Sequence, residues 1–385
     1  MFSKNSTIGV IGSGAMGSGI TQVAAMAGHK VILSDASPEA LKKAGSGITS
    51  LLQKLVEKQK ITPETMNGAL SRITYSSDPD DFASCELVIE AIVENLEVKK
   101  GVFAKLDKIV SSRCVLATNT SSLSVTSIAT AIEDPSRFLG IHFFNPAPLM
   151  PLVEIIPGIA THASLAEECM KLISGWGKVP VIAKDTPGFI VNRVARPFYS
   201  EALRIADEGL ADFATIDHAM RSVGGFRMGP FELMDMIGHD VNYVVTETVW
   251  RELYFDPRFK PSTTQKRLLE AGFLGRKSGR GFYNYSDGAV IPKPSEDNAL
   301  LQMIFLRVLC MLVNEAADAV YLGVASEEHV ELAMTKGVNY PKGLFLWGRE
   351  IGFRKLADEL KRLHDHYQED RYRVSPLLRR LAGQI

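Results

Sequence analysis

Histidine is scarce in this 385-residue chain, eight in all, and one of them, His142, stands near the end of an apolar, strand-like run from Leu139 to Phe144. Twelve residues on, Glu154 sits in a second such run, Leu152 to Ile156, close enough in sequence to return beside the first. A carboxylate facing the imidazole would set its tautomer and stabilise its protonated form, strengthening it as a base near neutral pH. Such a base suits an alcohol that gives up its hydroxyl proton while hydride leaves the same carbon. By residue type alone, a structural, hydrogen-bonded histidine is as good a reading, and Glu154 serves equally as an ion-paired surface group. Polar residues also follow another apolar run, in Asn119-Thr120-Ser121-Ser122-Leu123, and His142 itself opens His142-Phe143-Phe144-Asn145-Pro146. Both segments fall where an α/β sheet places its cleft, outside the carboxyl ends of its strands.

A hydride needs an acceptor, and the amino-terminal segment supplies a place for one. Thr7 to Ile11 is short, β-branched and apolar, and runs into Gly12-Ser13-Gly14-Ala15-Met16-Gly17. A bare GxGxxG is a weak signal, but here a strand precedes it and a helical pattern to about Ala27 follows, closed by Gly28. Gly12 permits the tight turn, Gly14 lets backbone approach a pyrophosphate, and Gly17 lets helix and strand pack closely. The turn from Gly12 to Gly17, with Ala15 and Met16, therefore reads as a dinucleotide phosphate site at a helix amino terminus. A second strand, Lys30 to Ser34, ends in Asp35, 18 residues beyond Gly17. Its carboxylate can accept from ribose hydroxyls and would repel a 2′-phosphate, which favours NAD over NADP; a helix-capping acid is the plainer reading.

The elements that must carry these residues alternate. Pro38 to about Lys60 reads as one long helix with Leu41, Ile48, Leu51, Leu52 and Leu55 on one side, an excursion from the sheet, and Pro63 opens the next. Apolar runs at Leu87 to Ile92 and Cys114 to Ala117 flank a helix from about Leu96 to Val110. The expectation is an α/β, doubly wound, mostly parallel sheet domain over residues 1–186. After Pro187 the pattern turns helical and repeats: Arg193, Glu201-Ala202, Ala219-Met220, Gly229 and Gly238 recur as Arg307, Glu315-Ala316, Ala333-Met334, Gly343 and Gly352, all offset by 114 residues. A constant register over so many positions indicates internal duplication. The expected division is a helical domain at 187–285, a Gly- and Pro-bearing linker at 286–297, and a second helical copy at 298–385 with a structural role, since Leu306 stands where Asn192 stands in the first copy.

Composition narrows the partners. The 43 Lys and Arg nearly cancel the 44 Asp and Glu, so charge balance gives no general reason to expect nucleic acid or an anionic membrane. Cys85, Cys114, Cys169 and Cys310 are too far apart in sequence for a CxxC pair or a recognisable zinc cluster, so reduced thiols and no metal are expected. A signal-peptide pattern and a long uncharged apolar run are both lacking, and a cytoplasmic protein is the default expectation.

Taken together with Glu90-Ala91-Ile92-Val93-Glu94-Asn95, Asp185-Thr186-Pro187-Gly188-Phe189-Ile190-Val191-Asn192-Arg193 and Gly229-Pro230-Phe231, these motifs closely resemble the L-3-hydroxyacyl-CoA dehydrogenases, including 3-hydroxybutyryl-CoA dehydrogenases, from about Ile8 to Tyr285. The resemblance implies a Rossmann domain followed by an all-α domain, with the active site between them. It implies a catalytic pair at His142 and Glu154, and substrate oxygens held by Ser121 and Asn192. Helix capping and backbone satisfaction are the plainer jobs for those last two. It further implies cofactor contacts at Asn119, Ser121, Asn145, Glu94, Lys99 and Lys277, and coenzyme A contacts at Lys58 and Lys99. Leu51 departs from the pattern, standing where some relatives carry a serine. Short relatives end after Gly281-Phe282-Tyr283 and dimerise through one helical domain. The second copy here is expected to pack on the first as a partner subunit would, giving a monomer with pseudo-dimeric helical domains, with a homodimer as the alternative. Rival readings are a dehydrogenase of a free 3-hydroxy acid or polyol, and a non-catalytic NAD-binding protein.

Overall fold

The computed structural model describes residues 2–290 and 292–384, which form two compact units that divide between Thr186 and Pro187. The first unit is built on an eight-stranded sheet. Its strands are β1 (Thr7–Ile11), β2 (Lys30–Ser34), β3 (Ile73–Ser76), β4 (Leu87–Glu90), β5 (Val115–Thr118), β6 (Phe138–Phe143), β7 (Leu152–Pro157) and β8 (Val179–Ile182), in the order β3-β2-β1-β4-β5-β6-β7-β8. Every neighbouring pair is parallel except β6 and β7, which run antiparallel. The two edge strands β3 and β8 lie in stretches that hydrophobic alternation does not single out: β3 reads ITYS and carries only one strongly apolar residue.

Helices α1 (Ala15–Met26), α2 (Pro38–Glu57), α3 (Pro63–Leu70), α4 (Leu96–Leu106), α5 (Val125–Ala129) and α6 (Ala163–Gly175) complete this unit. Ser37 starts α2, its Oγ accepting the Ala40 N–H at 3.2 Å with Pro38 in the first turn. Leu41, Ala44, Ile48 and Leu52 turn inward from α2, while Leu51 is half exposed. Leu51 thus leaves the apolar stripe expected of it, one position off the inward face of a 3.6-residue repeat.

The second unit is helical: α7 (Val191–Val194), α8 (Arg196–Asp207), α9 (Phe213–Ser222), α10 (Pro230–Ile237), α11 (His239–Glu252), α12 (Thr263–Glu270), α13 (Asn298–Tyr321), α14 (Glu327–Leu332), α15 (Leu344–Ile351) and α16 (Phe353–Tyr367) precede a short final helix at 376–381. By length and composition α13 could cross a membrane, yet 72% of its apolar stretch is buried inside the protein. It is a core helix, started by Asp297, whose Oδ1 accepts the N–H groups of Ala299 and Leu300.

The duplicated register has a physical counterpart within this unit. Arg193 Nε donates to Glu315 Oε1 at 2.6 Å, and Arg307 Nε donates to Glu201 Oε1 at 2.7 Å. Each arginine thus takes the glutamate of the other copy, the reciprocal pattern of a two-fold interface. Asp217 accepts the first N–H groups of α10 from Phe231 and Glu232, and Glu331, its equivalent in the second copy, accepts those of Phe345 and Leu346 at the start of α15. Burial drives the Asp217 carboxyl up to about 7 despite the bonds from Tyr283 and the two backbone N–H groups.

Candidate active site

The glycine turn comes first in the chain and sets the end of the sheet where ligands gather. Gly12 has φ of +97°, and a Cβ there would lie 2.5 Å from the Ala91 carbonyl oxygen. A Cβ on Gly17 would lie 1.7 Å from the Gly12 oxygen, so only hydrogen lets α1 start this close to β1. Gly14 differs: a Cβ there meets nothing within 4 Å, because Gly14 faces a cavity of about 1330 Å³. Bare backbone at that point leaves a pyrophosphate room to approach the amino terminus of α1, so the turn fits a dinucleotide.

Asp35, at the end of β2, lines the same cavity. Its Oδ2 accepts the Ser13 N–H and hydroxyl, each at 2.8 Å, and its Oδ1 accepts the Ser37 N–H at 3.0 Å. Burial opposes its ionisation, but these hydrogen bonds win and hold it below the ordinary carboxylate range. A carboxylate has about four acceptor positions, so the three bonds leave capacity toward a ribose. Ala15 and Asn145 also line the cavity, as do Lys43, Leu51 and Lys60 from α2 and the turn after it. Lys58 does not; it closes the carboxyl end of α2 and is exposed.

At the ends of β4 and β5 a network runs through a carboxylate that spacing alone did not single out. Glu90 is wholly buried, a lone acid in an apolar strand. It accepts from Lys99 Nζ at 2.6 Å, the Ile92 N–H at 2.7 Å and the Thr118 hydroxyl at 2.7 Å. Lys99 is buried too and reaches Glu94 at 3.2 Å. Two carboxylates thus answer the charge of Lys99. Glu94 in turn accepts from the Thr120 hydroxyl at 2.5 Å, the Ser121 N–H at 3.0 Å and the Ser122 hydroxyl at 3.1 Å. Burial alone would raise Glu94, but Lys99 and these donors hold its carboxyl below the ordinary range.

The same turn shows which serine caps α5. Ser124 Oγ accepts the Ser127 N–H at 3.1 Å, and Asp185 accepts the N–H groups of Val125 and Thr126. Ser121 therefore stands outside the cap, its hydroxyl not needed there. Asn119 uses its side-chain carbonyl on the Phe143 N–H at 2.8 Å, which ties the end of β5 to the residue after His142.

His142 and Glu154 are direct partners across the β6–β7 pair. On an antiparallel pair, opposed residues point to the same face, and Nδ1 of His142 lies 2.7 Å from Glu154 Oε2, both side chains buried. A carboxylate accepts, so Nδ1 is the donor in this contact. The Phe144 ring, its centroid 4.5 Å from that of the imidazole, packs against it. After β6 the chain turns at Asn145, joined to Pro146 by a cis peptide bond. Lys178 fastens this loop: its ammonium donates to the carbonyls of Ala147 at 2.5 Å and Met150 at 2.9 Å. Desolvation lowers the Lys178 pKa. Nothing in the spacing of Lys178 pointed to that role, since it acts on main-chain oxygens about thirty residues away.

Asn192 and Lys277 belong to the helical unit. Asn192 is half-buried in α7, and Lys277 pairs with Asp240.

Comparison with known proteins shows the family. The family model of the 3-hydroxyacyl-CoA dehydrogenase NAD-binding domain matches residues 7–186, and that of the C-terminal domain matches residues 188–285 and 303–384. The chain is 40% identical to the 3-hydroxyadipyl-CoA dehydrogenase of Escherichia coli (strain K12), across 98% of this chain and 97% of that one. It is 42% identical to the 3-hydroxybutyryl-CoA dehydrogenase of Bradyrhizobium diazoefficiens, across 97% of that protein but 74% of this chain. The crystal structure of a 3-hydroxybutyryl-CoA dehydrogenase from Escherichia coli K12 superposes with a TM-score of 0.93 at 38% identity, over 98% of both chains. The chain belongs to the 3-hydroxyacyl-CoA dehydrogenase family, NAD-dependent oxidoreductases of 3-hydroxyacyl-CoA thioesters.

Proposed function

We propose that His142 is the general base with which this NAD-dependent dehydrogenase oxidises the 3-hydroxyl of a (3S)-3-hydroxyacyl-CoA. The observation that carries the reading is the buried 2.7 Å contact between His142 Nδ1 and Glu154 Oε2 on opposed strand positions. With its Nδ1 proton hydrogen-bonded to Glu154, His142 takes the hydroxyl proton on Nε2 as hydride leaves C3 and the C3–O bond becomes a carbonyl. Glu154 then stabilises the imidazolium. When bound, the nicotinamide supplies the hydride acceptor. Ser121, free of the α5 cap, and Asn192 donate to the substrate oxygens. The Gly12–Gly17 turn, with Ala15 and Met16, holds the pyrophosphate, Asp35 the ribose, and Asn145 and Glu94 line the nicotinamide end. Asn119 and Lys99 act one step back, on Phe143 and Glu94. Lys43 and Lys60 line the cavity and Lys58 does not, so the first two suit the coenzyme A phosphates better; Lys277 is left a contact to test.

The chain acts in the cytoplasm as a monomer whose second helical copy takes the place of a partner subunit, with neither nucleic acid nor membrane as partner. The reciprocal arginine–glutamate pairs support that arrangement.

The test is absorbance at the NADH band with NAD and (S)-3-hydroxybutyryl-CoA, then with free 3-hydroxybutyrate. Turnover of the thioester is expected. Turnover of the free acid instead would move the substrate class, and silence with both would leave an NAD-binding protein without this reaction.

A further inference from the structure

Among the buried arginines of the helical unit, Arg193, Arg258 and Arg307 each hold a glutamate. Arg196 does not. It opens α8 only 5% exposed, and among the described residues no carboxylate reaches it. Its Nη1 donates to two neutral oxygens, the Asn242 carbonyl at 3.4 Å and the Thr246 hydroxyl at 3.0 Å. Its Nε is sealed from solvent without an acceptor. A guanidinium keeps its charge at any pH of interest, so burying it without a counter-ion carries a large desolvation cost unless an anion comes to it.

Two phenols share its surroundings. The Tyr199 ring lies under the guanidinium at 4.9 Å, and Tyr340 of the second copy is buried with its hydroxyl unpaired. The Tyr340 ring packs against α8, its centroid 5.9 Å from that of Phe198. One guanidinium and two phenol hydroxyls are donors suited to a carboxylate.

The position of Arg196 says which carboxylate. Ala195, which joins α7 to α8, has helical backbone angles, so Asn192 and Arg196 lie one turn apart on the same side. Neighbours at that spacing have Cβ atoms about 5–6 Å apart. An acyl chain whose C3 oxygen is held by Asn192 and whose far end is a carboxyl at C6 spans a comparable distance.

We infer that Arg196, with Tyr199 and Tyr340, receives the distal carboxylate of a six-carbon dicarboxylic 3-hydroxyacyl-CoA, which makes these residues determinants of chain specificity. The inference rests on the proposed role of Asn192 and on the dehydrogenase reading. It also gives the second helical copy a part beyond packing, because Tyr340 belongs to that copy.

The experiment compares kcat/KM for (S)-3-hydroxyadipyl-CoA and (S)-3-hydroxyhexanoyl-CoA, equal in length and differing at the distal carboxylate. The protein should favour the dicarboxylic thioester by about 10²-fold or more, since a site built on buried donors rejects an analogue that leaves them unpaired. Arg196→Met should collapse that ratio, Arg196→Lys should restore part of it, and Tyr340→Phe should lower it several-fold. Tyr340→Phe removes one hydroxyl from a well-packed ring, so it decides the matter if Arg196→Met fails to fold. Oxidation of both thioesters without a preference overturns the inference and leaves the dehydrogenase reading standing. So does an equal loss on both thioesters in Tyr340→Phe, the pattern of a purely structural group. Oxidation of neither overturns both.

Discussion

The reaction proposed at His142 depends on one proton being in one place. In that proposal Glu154 accepts from Nδ1, which leaves Nε2 to act as the base. His142→Gln should reduce kcat by about 10²- to 10⁴-fold, the usual yield of general acid–base catalysis, while NAD affinity measured by calorimetry stays. Retained turnover would remove His142 from the mechanism. The role proposed for Asp35 is on the cofactor instead. Asp35→Ala also frees the Ser13 N–H and hydroxyl, and NAD affinity should fall at least tenfold by the same calorimetry; an unchanged affinity would show that the carboxylate serves the turn alone. Glu94 adds a pH dependence. Its pKa is depressed on folding, so its contribution to stability is present above 4.5, the ordinary glutamate value, and is lost as pH falls through the depressed one. Glu94→Gln should flatten the fall of Tm with acid below pH 4.5; a curve as steep as that of the parent protein would place the acid sensitivity elsewhere.

At the scale of elements, the cofactor end is a matter of how closely a helix can meet a strand. The Gly17 Cβ position coincides with the Gly12 oxygen's own space, so Gly17→Ala must push α1 off β1. Overpacking of this kind costs about 1–3 kcal/mol or more, read as a lower midpoint in urea, and NAD binding should fail with it. A variant that binds NAD at the parent's affinity would mean that α1 tolerates the shift. The catalytic end depends on a pair of strands. An antiparallel β6–β7 ladder in this register puts positions 142 and 154 opposite each other, and a slip of one residue would send the two side chains to opposite faces.

For the molecule as a whole, the second copy changes what has to be assembled. Arg307 is buried against Glu201 and Glu208, and the hydroxyls of Tyr367 and Tyr372 accept from it. Arg307→Met takes from buried Glu201 its nearer cation, leaving Arg371 at 3.7 Å, and should cost about 3 kcal/mol in chemical denaturation; replacing Glu201 by Leu as well should recover part of it. A double variant as unstable as the single one would point to packing and not charge. If the copies meet as partner subunits do, light scattering should give the mass of one chain, and a dimer built through the first copy would refute that arrangement.

Much of this was present in the order of the residues. The glycine turn, Asp35 at the close of β2, the run of strands and helices and the 114-residue register all depend on local periodicity and on what glycine or a carboxylate can do in its immediate neighbourhood. What depended on distant segments was decided only by the fold. The edge strands β3 and β8 exist because a sheet edge was there to pair with. Lys99 reads in sequence as one more cation on a helix, and only the fold shows it buried against Glu90 and Glu94. Leu51 and Lys60 line the cavity while Lys58 between them does not, which depends on how α2 and the turn after it lie against the cavity. Arg196 is just an arginine in the chain. Its want of a counter-ion is a fact about every element packed around it, and no spacing along the sequence carries it.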